Sequence, residues 1–526
     1  MTRISGDGSV RKALFPAGVQ SCFFTILLCL LSTFIQPQRA LAATPDQFAT
    51  EPEVRIGILQ KATHAKLRFT GSYRAFKGGG QNGGNEIHSG KAGRIQIELY
   101  TIRMAQIPQK LRVTLGAFRS YEQAEYTLQK LGSLPFKAQI AQPKQWTLWF
   151  GPFNSPDEAQ HAQNYVRDKG FKDSRIESEA ADITALTIYA QDGSLIHLGG
   201  GPVVFRSSNG RFFLNSREYR GKVEILPDAY GTFNVVNIVR ADDYIMSVLP
   251  REMPSSAAPE SLKAQAVIAR TYLLNNMRRH MIDGFNLCST TDCQVYGGVN
   301  DEVASTSEAV RRTRGQALIY KGQLANALFH STCGGRTADY NDNWNGENPE
   351  YLVSVDDGSG FADSDLSSAK KVAQFLENKT GDCEASKYFR WEKKYTADEM
   401  LNVIKSTVPE FTNNPDLKIN ALRDISVDEY FPSGRAKRIT VTTDAGEFVF
   451  ERDAIRWVLG NIKSTLFILE KRGANGGREY VFRGAGWGHG VGLCQIGAMK
   501  LGKGGASYLR ILDRYYPGSA VETLWK

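Results

Sequence analysis

The chain has 526 residues, enough for two or three domains with sizeable cores. Its formal net charge is +9, but the basic residues are dispersed rather than clustered, which argues against a nucleic-acid-binding protein. The 50 glycines predict many loops and turns.

The first 42 residues have the pattern of a secretory signal peptide. A basic start, an apolar segment and a small-residue cleavage site follow one another, at Arg3, Arg11 and Lys12, at Cys22 to Ile35, and at Ala40-Leu41-Ala42. Because the apolar segment is short for a membrane span, we expect export to the periplasm or cell wall, with membrane contact only if the segment stays uncleaved. Cleavage would leave a net charge of about +6 and five of the seven cysteines. That odd number predicts at least one unpaired or metal-bound thiol.

Residues 43–110 are predicted to hold one strand and one loop. The strand is Val54-Arg55-Ile56-Gly57-Ile58-Leu59, a largely apolar run. The segment from Lys77 to Gly93 is rich in glycine and polar residues, which predicts a flexible loop.

Residues 111–180 contain an internal repeat at an offset of 35 residues. The matched positions are Gly116 and Gly151, Phe118 and Phe153, and Ser120 and Ser155. Each half predicts a strand, a Gly-x-Phe turn, a capping serine and an amphipathic helix, and two halves make a small α+β unit. The segment resembles a SPOR domain, which implies binding to glycan strands that have lost their stem peptides. The alternative is an unrelated ferredoxin-like module.

Short alternating strands over residues 183–239 lead into the most informative stretch of the chain. There Glu252 lies between Pro250 and Pro254, where neither a helix nor a central strand is easily continued, which predicts an acid on a rigid loop. A helix is predicted to begin at Pro259, and Lys263 and Arg270, two turns apart, share one of its sides. Its buried face is predicted to consist of Leu262, Ala266, Ala269 and Leu273. Taken alone, this pattern favours an ordinary solvated glutamate beside a polar helix face.

Three further motifs contain residues suited to chemistry. Cys288 and Cys293 are spaced C-x4-C, which is loose for zinc and equally compatible with a local disulfide. His330 and Ser331 are neighbours in a strand pattern, so they point to opposite faces and are poorly placed to share a proton. The run Trp487-Gly488-His489-Gly490-Val491-Gly492 is too rich in glycine for a regular element. It predicts a loop that approaches a sugar chain closely or, alternatively, a structural turn with a core histidine.

Together these motifs resemble those of the SpoIID/LytB family, the stage II sporulation protein D-like and amidase-enhancer-like proteins. The matching stretches are Glu-Met-Pro at 252–254, Leu-Lys-Ala-Gln-Ala-Val-Ile-Ala-Arg-Thr-Tyr at 262–272, the Cys288 to Gly298 segment, His-Ser-Thr-Cys-Gly-Gly at 330–335 and the C-terminal Gly-His-Gly-Val-Gly run. The resemblance spans most of residues 183 to 518. Cys494 and Ile496 stand where the family usually has Ser and Tyr, which puts polar contacts from those two positions in doubt.

The resemblance implies an α+β fold, with a β-rich catalytic domain over residues 183–526 whose helices surround a glycan-binding groove, beside the small α+β SPOR-like unit. It also implies that Glu252 is the catalytic acid of a lytic transglycosylase acting on peptidoglycan glycan strands. The substrate-binding residues expected in the groove are Lys263, Arg270, Tyr272, His330, Ser331, Trp487, His489 and Gln495. This chemistry requires no cofactor.

Some members of the family bind zinc with two cysteines at this place and a preceding histidine. The resemblance therefore implies Cys288, Cys293 and His280 as ligands of a structural zinc ion. A disulfide and free thiols remain alternatives, and three ligands with an open position would also fit a catalytic zinc. The chain has no H-E-x-x-H run, so a metalloprotease is not indicated.

One carboxylate is enough for a lytic transglycosylase because the sugar supplies its own nucleophile. The acid protonates the glycosidic oxygen, and the 6-hydroxyl of muramic acid attacks the anomeric carbon to give a 1,6-anhydro product. Such an acid works best when partial burial raises its pKa. We therefore expect Lys263 and Arg270 to bind the lactyl carboxylate of the sugar rather than Glu252. The alternatives are a non-catalytic glycan-binding protein that enhances a cell-wall amidase, and a zinc-dependent wall hydrolase.

Overall fold

The structure is a computed structural model, and it describes residues 44–526 apart from 79–83, 104–109, 179–181, 191–192, 194, 198–200, 362–363, 413, 415 and 474–478. The expected signal peptide, residues 1–42, lies outside the described residues. Within the described ranges, no helix combines the length and the apolar character that crossing a membrane requires. Helices and sheets both contribute to the fold, so the α+β class expected from the sequence is confirmed.

The N-terminal region is richer in strands than the sequence predicts. Its strands are β1 Glu53–Ala62, β2 His64–Phe69, β3 Tyr73–Lys77, β4 Asn85–Gly90 and β5 Gly93–Arg103. The prediction of one strand followed by a loop is therefore wrong. Along β2 the buried residues Ala65, Leu67 and Phe69 alternate with more exposed ones, which is the period-two pattern of a half-buried strand. That alternation is present in the sequence, and the glycines beyond it hide the strands that follow.

The SPOR-like unit has the two-fold repeat expected of it. Its elements are β6 Leu111–Phe118, α1 Tyr121–Leu131, β7 Ala138–Ala141, β8 Trp146–Phe153, α2 Pro156–Asp168 and β9 Arg175–Ser178. The strands form one sheet in the order β7-β8-β6-β9. Ser120 and Ser155 cap the two helices by accepting from the N–H groups of Gln123 and Glu158, which confirms the predicted caps.

The strands of the β-rich domain come both before and after this unit in the chain. Its next elements are β10 Asp182–Ala190, β11 Leu195–His197, β12 Val203–Ser207, β13 Arg211–Leu214, β14 Arg217–Arg220, β15 Lys222–Pro227, β16 Phe233–Arg240, helices α3 Ala241–Glu252 and α4 Pro259–Asn275, and β17 Leu287–Cys288. One sheet has the order β17-β1-β16-β15-β12-β3-β4 and the other β11-β10-β5-β2-β13-β14. Both sheets combine strands from before and after the SPOR-like unit, so this unit is an insertion. The domain therefore begins at β1 and not at residue 183.

A second insertion has its own hydrophobic core. The chain first adds α5 Ala304–Arg312, β18 Gln316–Tyr320, β19 Gln323–Leu324 and β20 Phe329–His330. The inserted lobe then contains α6 Ala369–Glu377, β21 Trp391–Thr396, α7 Ala397–Phe411, β22 Leu422–Tyr430, β23 Ala436–Thr443, β24 Gly446–Glu451, α8 Ala454–Val458, β25 Phe467–Arg472 and β26 Glu479–Gly484. Its apolar residues form a cluster separate from the core of the β-rich domain.

The C-terminus returns to the β-rich domain. Its elements are β27 Leu493–Cys494, α9 Gln495–Lys503, α10 Tyr508–Tyr515 and β28 Ala520–Thr523. Strand β27 pairs in parallel with β20, and β28 pairs with β18. These pairings bring the glycine-rich run before β27 next to the 330–335 motif. Helix α4 packs against both α3, which carries Glu252, and α9.

Candidate functional site

Glu252 is the last residue of helix α3 and is not on a loop between two prolines. The sequence-based expectation fails because Pro250 lies in the last helical turn, where a missing N–H removes only one intrahelical hydrogen bond. The helix is capped when the N–H of Met253 donates to the carbonyl of Leu249, 3.0 Å away. Met253, Leu249 and Val248 are buried, so the carboxylate is held at the end of a helix that is anchored in the main core.

Two segments hold Glu252 from outside its own helix. The backbone N–H of Val295 donates to its carboxylate, and the side-chain Nε2 of Gln495 donates to its carbonyl oxygen at 2.8 Å. Burial raises the pKa of Glu252 to about 7, although the Val295 hydrogen bond opposes the rise. Within the described residues, no cation forms an ion pair with this carboxylate. Glu252 is therefore partly protonated near neutral pH, as a general acid must be.

A cavity of about 290 Å³ lies near the end of helix α3; Arg251 and Val295 line it, but Glu252 itself does not. It is lined by Ile58, Arg217, Tyr219, Arg251, Ser289, Val295, Tyr296, Gly297 and Asp301. Arg251 binds Asp301 through two hydrogen bonds, of 2.7 and 2.5 Å, and Arg217 lies 3.4 Å from the same carboxylate. Two guanidinium groups thus share one acid, which leaves the cavity wall net positive.

Both cations predicted from helix α4 form ion pairs within the protein. Arg270 is fully buried, and its Nε donates to Asp242 at 2.7 Å while its Nη1 donates to the Gln316 carbonyl at 2.9 Å. Lys263 forms an ion pair with Glu260 at 2.6 Å, one turn back along the helix. The assignment of Arg270 to substrate binding is wrong because α4 is buried on nearly every side, so a shared helix side says nothing about exposure.

Tyr272, His330 and His489 also have structural roles. Tyr272 is 9% exposed and packs in the main core. His330 is 4% exposed, and its Nδ1 lies 3.1 Å from the Val491 carbonyl. The Val491 N–H donates to Nδ1 of His489, so Nε2 of that ring carries the proton and donates to the Phe329 carbonyl at 2.9 Å. Both histidines therefore fasten the glycine-rich run to β20, and neither they nor Tyr272 line an open groove as predicted.

Trp487 is the predicted groove residue with the greatest exposure, at 41%. Its ring centroid lies 4.5 Å from that of Tyr388, and the ammonium of Lys463 lies 5.4 Å from the Trp487 ring. An exposed indole packed against a half-buried tyrosine ring is a suitable platform for a sugar ring. Ser331 is partly exposed nearby, and its carbonyl accepts from the N–H of Ile496. Tyr388 was missed by the sequence reasoning because it lies in the inserted lobe, far from any motif.

The three predicted zinc ligands meet in one cluster. Cys288 and Cys293 are free thiols, and the Sγ of Cys293 lies 3.5 Å from Nε2 of His280. Asp292, which the sequence reasoning missed, brings a carboxylate oxygen to 3.8 Å from the same nitrogen. That oxygen is buried and has no hydrogen-bond partner among the described residues. The four side chains form the first cluster, and their potential ligand atoms all lie within 4.8 Å of one another.

Second contacts orient the histidine of the first cluster for a metal ion. The Nδ1 of His280 lies 2.9 Å from a carboxylate oxygen of Asp283, and the hydroxyl of Tyr230 donates to the other oxygen at 2.6 Å. A proton on Nδ1 leaves the lone pair of Nε2 free for coordination, as in carboxylate–histidine–zinc arrangements. The residues therefore fit a four-ligand, closed zinc site, in which zinc would fix the 288–293 loop that leads to Val295.

The SPOR-like unit covers the first cluster. The indole of Trp146 lies with its centroid 4.9 Å from that of the His280 ring, and its Nε1 is 3.4 Å from Asp292. Arg279, which is 4% exposed, donates to Glu122 on helix α1 at 2.7 Å. Trp146 is thus buried rather than available to a sugar. A cluster closed in this way has no open position for substrate, which argues against a catalytic zinc.

Comparisons with known proteins agree with this organisation. Three family models match the chain: a SPOR domain over residues 108–176, a stage II sporulation protein model over residues 229–320, and a domain of unknown function over residues 338–492. The second model covers Glu252 and the first cluster, and the third covers the inserted lobe and the glycine-rich run.

Named relatives place these matches in one family. An amidase enhancer of Bacillus subtilis (strain 168) is 26% identical over 409 residues, 69% of this chain and 54% of the relative, so the chain spans about half of that protein's length. An uncharacterized protein of Brachyspira hyodysenteriae is 30% identical over 317 residues, 60% of this chain and 75% of the relative. A stage II sporulation protein D of Bacillus amyloliquefaciens is 26% identical over 298 residues, 54% of this chain and 74% of the relative.

The fold and the site thus define a SPOR-containing α+β protein with a partly buried glutamate at a helix end. The chain belongs to the SpoIID/LytB family.

Proposed function

We propose that the protein is an exported lytic transglycosylase that cleaves peptidoglycan glycan strands, with Glu252 as general acid and base. The observation that carries this proposal is the environment of Glu252: a helix-end carboxylate whose pKa is raised to about 7 by burial, next in sequence to Arg251, which lines a cavity. Membership of the SpoIID/LytB family supports a function in the cell wall.

The chemistry needs one group that first gives and then takes a proton. Protonated Glu252 donates to the glycosidic oxygen as the bond to the anomeric carbon of muramic acid breaks. The 6-hydroxyl of the same sugar attacks that carbon, and its proton passes to the Glu252 carboxylate, which restores the acid. Because no water is consumed, the second carboxylate of ordinary glycosidases is not required. General acid–base catalysis of this kind contributes about 10²–10⁴-fold.

The cavity near the end of helix α3 offers two other cations for the carboxylate-binding role assigned to Lys263 and Arg270. Arg217 and Arg251 share the single carboxylate of Asp301, which leaves cationic character for an incoming anion. A muramic acid whose stem peptide has been removed carries a free lactyl carboxylate, and a guanidinium binds such a group in two-point fashion. The cavity therefore favours denuded strands. The SPOR-like unit would select the same strands, and two weak sites on one chain raise the effective concentration of substrate.

The test is product analysis by mass spectrometry on denuded and intact strands, using residues 43–526 as wild type and as Glu252→Gln. Anhydro-muramic ends from the wild type, with Glu252→Gln slower by at least about 100-fold, are the expected result. Glu260→Gln is the matched control, because Glu260 pairs with Lys263 away from the cavity, and it should keep full activity. Hydrated ends would make the protein a hydrolase and overturn the proposal.

A second candidate is a non-catalytic enhancer of a cell-wall amidase, which the name of the Bacillus subtilis relative favours. In that case wild type and Glu252→Gln bind strands equally and release no products. Both would then accelerate a purified cell-wall amidase to the same extent. Stimulation that is lost in Glu252→Gln would contradict this second candidate.

A further inference from the structure

A second group of potential metal ligands lies deep in the molecule, away from the first cluster. It consists of Cys333, Asp357, Cys383 and Cys494, all of which are fully buried. We call these four residues the second cluster. Their ligand atoms lie within 4.8 Å of one another, although they come from positions spread over 161 residues of the chain.

The contents of the second cluster are unusual for a core. A buried free cysteine behaves as a small apolar side chain, but an aspartate carboxylate is costly to bury unless it is paired or bound to a metal. One oxygen of Asp357 accepts from the Tyr515 hydroxyl at 2.6 Å. The other faces the Sγ of Cys333 at 3.0 Å. This oxygen therefore faces three sulfur atoms. Because a thiol is a weak hydrogen-bond donor, these sulfurs offset little of the cost of burying the carboxylate.

The spacing is that of a tetrahedral site. With Zn–S bonds of about 2.3 Å, two sulfurs on one zinc ion are separated by about 3.8 Å. The Sγ atoms of Cys333 and Cys383 are 3.5 Å apart, and the two thiols are not joined in a disulfide. Small side-chain adjustments therefore suffice to place three sulfurs and one carboxylate oxygen around a single ion.

Backbone groups around the second cluster suit thiolates better than thiols. The N–H of Cys333 donates to Sγ of Cys494 at 3.3 Å, and that of Gly497 donates to the same sulfur at 3.4 Å. The N–H of Gly335 donates to Sγ of Cys333 at 3.3 Å. Cys494 also caps helix α9, whose N-terminus carries partial positive charge. These donors are the outer contacts that typically stabilise metal-bound sulfur.

Close packing around Asp357 also requires a glycine at position 497. A Cβ atom at Gly497 would lie 2.7 Å from one Asp357 oxygen and 2.3 Å from the Tyr515 hydroxyl. Only glycine lets helix α9 approach the carboxylate this closely. Nε of Arg514 lies 3.9 Å from Asp357 and supplies positive charge near a site that would otherwise be strongly negative.

We propose that Cys333, Cys383, Cys494 and Asp357 bind one zinc ion in a closed structural site. The ion joins the strand end after β20, the inserted lobe and the start of α9. It therefore fixes Gln495, the residue next to Cys494, whose side chain holds the carbonyl of Glu252. This site is distinct from the first cluster and does not depend on the proposed reaction.

The decisive protein is the Cys288→Ser, Cys293→Ser double variant of residues 43–526, which removes the sulfurs of the first cluster. Purified with zinc and without chelator, it should retain about one equivalent of zinc by elemental analysis and native mass spectrometry. Adding Cys383→Ser should remove that equivalent. Cobalt in place of zinc should give thiolate charge-transfer absorption in the double variant and lose it in the triple variant. A folded double variant, judged by circular dichroism, that holds no zinc would overturn the proposal.

Asp357→Asn in the otherwise wild-type chain tests the oxygen ligand with the smallest change in shape. Transfer of zinc to a competing chelator should become at least tenfold faster for one equivalent. Asp365→Asn is the matched control, because Asp365 is exposed and pairs with Lys371 away from the second cluster, and its transfer rate should match wild type. Peptide mapping without reductant tests whether the cysteines of the second cluster form a disulfide instead. A Cys333–Cys383 disulfide in the purified protein would replace the metal site and refute it.

Discussion

The two clusters differ in how they are assembled but have the same relation to Glu252. The ligands of the first lie within residues 280–293, whereas those of the second come from the β-rich domain, the inserted lobe and the last helices. Val295 follows Cys293 by two residues and donates to the Glu252 carboxylate. Gln495 follows Cys494 directly and donates to the Glu252 carbonyl. Each cluster thus adjoins, along the chain, one of the two residues that contact Glu252 from outside its own helix.

The difference lies in what each contact can change. The Val295 N–H bonds to the titrating group itself, so loosening the first cluster alters the pKa of Glu252. The Gln495 side chain bonds to the backbone of Glu252, so loosening the second cluster alters the position of the acid but not its charge state. One cluster is therefore expected to tune the acid, and the other to place it.

The largest expected effect comes from helix α4, which packs between α3 and α9 without belonging to either cluster. Arg270→Ala leaves Asp242 without its buried charge partner and with only the more distant Arg314, and we expect the free energy of unfolding to fall by about 3–5 kcal/mol. Urea unfolding followed by circular dichroism measures this. Zinc content and strand preference of the remaining folded protein should be unchanged. Lys263→Ala breaks a partly exposed ion pair on the same helix. It should lower the free energy of unfolding by less than about 1 kcal/mol. A selective loss of binding to denuded strands in Arg270→Ala would show that Arg270 binds substrate after all.

The ionised side chain of Glu252 should lower the free energy of unfolding above neutral pH. Its pKa is about 7 in the folded state and near 4.5 when unfolded, so the folded state binds more protons between these values. Stability therefore falls as pH rises from about 4.5 to 7, and Glu252→Gln should be more stable than wild type above pH 7 by up to about 3 kcal/mol. Below pH 4.5 the two proteins should be equal.

Glu260→Gln is the matched control for this pH effect. Burial raises the pKa of Glu260, but hydrogen bonds from Lys263 and the Tyr508 N–H outweigh it and lower the pKa overall. The same substitution there should reduce stability at neutral pH or leave it unchanged. Unfolding curves of both variants at several pH values measure the sign. A Glu252→Gln variant that is less stable than wild type above pH 7 would contradict the raised pKa.

The two clusters also differ in how well they can be predicted from the sequence. The first cluster lies in one short segment, so the sequence predicts three of its four potential ligands, and Asp292 lies between the two cysteines. The second cluster needs the pairing of β20 with β27 and the return of the lobe that carries Asp357 and Cys383, neither of which leaves a local pattern. Its traces in the sequence are the odd number of cysteines, Cys333 in the 330–335 motif, and Cys494, which stands where the family usually has serine.

The wrong assignments also have a physical cause. Helical spacing correctly placed Lys263 and Arg270 on one side of α4, but the partner that makes Arg270 a core residue, Asp242, lies 28 residues earlier. Spacing predicts which residues share a face and not what covers that face. His330 and His489 were misassigned for the same reason, because each is covered by backbone from the other's segment.

Opening the first cluster should affect turnover through the acid. In Cys293→Ser we expect the rate of strand cleavage to fall by about 10–100-fold, as the loop that holds Val295 loosens. Without the Val295 hydrogen bond, which lowers the pKa of Glu252, the decline of activity at high pH should move to higher pH. Cys494→Ser should slow cleavage without changing the pH at which activity declines. Rate–pH profiles of the two variants measure the contrast, and equal shifts in both would remove the distinction between tuning and placing.

The smallest effect isolates the placing contact itself. Gln495→Ala removes the 2.8 Å hydrogen bond to the Glu252 carbonyl and keeps all four ligands of the second cluster, so zinc content should stay at the wild-type value. A neutral hydrogen bond contributes about 0.5–1.5 kcal/mol, which corresponds to a rate of strand cleavage lower by about 2–13-fold. The shape of the rate–pH profile should not change, because the carboxylate keeps its Val295 donor. Gln323→Ala, at an exposed position on β19, should have no effect on rate. A wild-type rate in Gln495→Ala would mean that the helix end alone places the acid, and that the second cluster stabilises the fold without any link to catalysis.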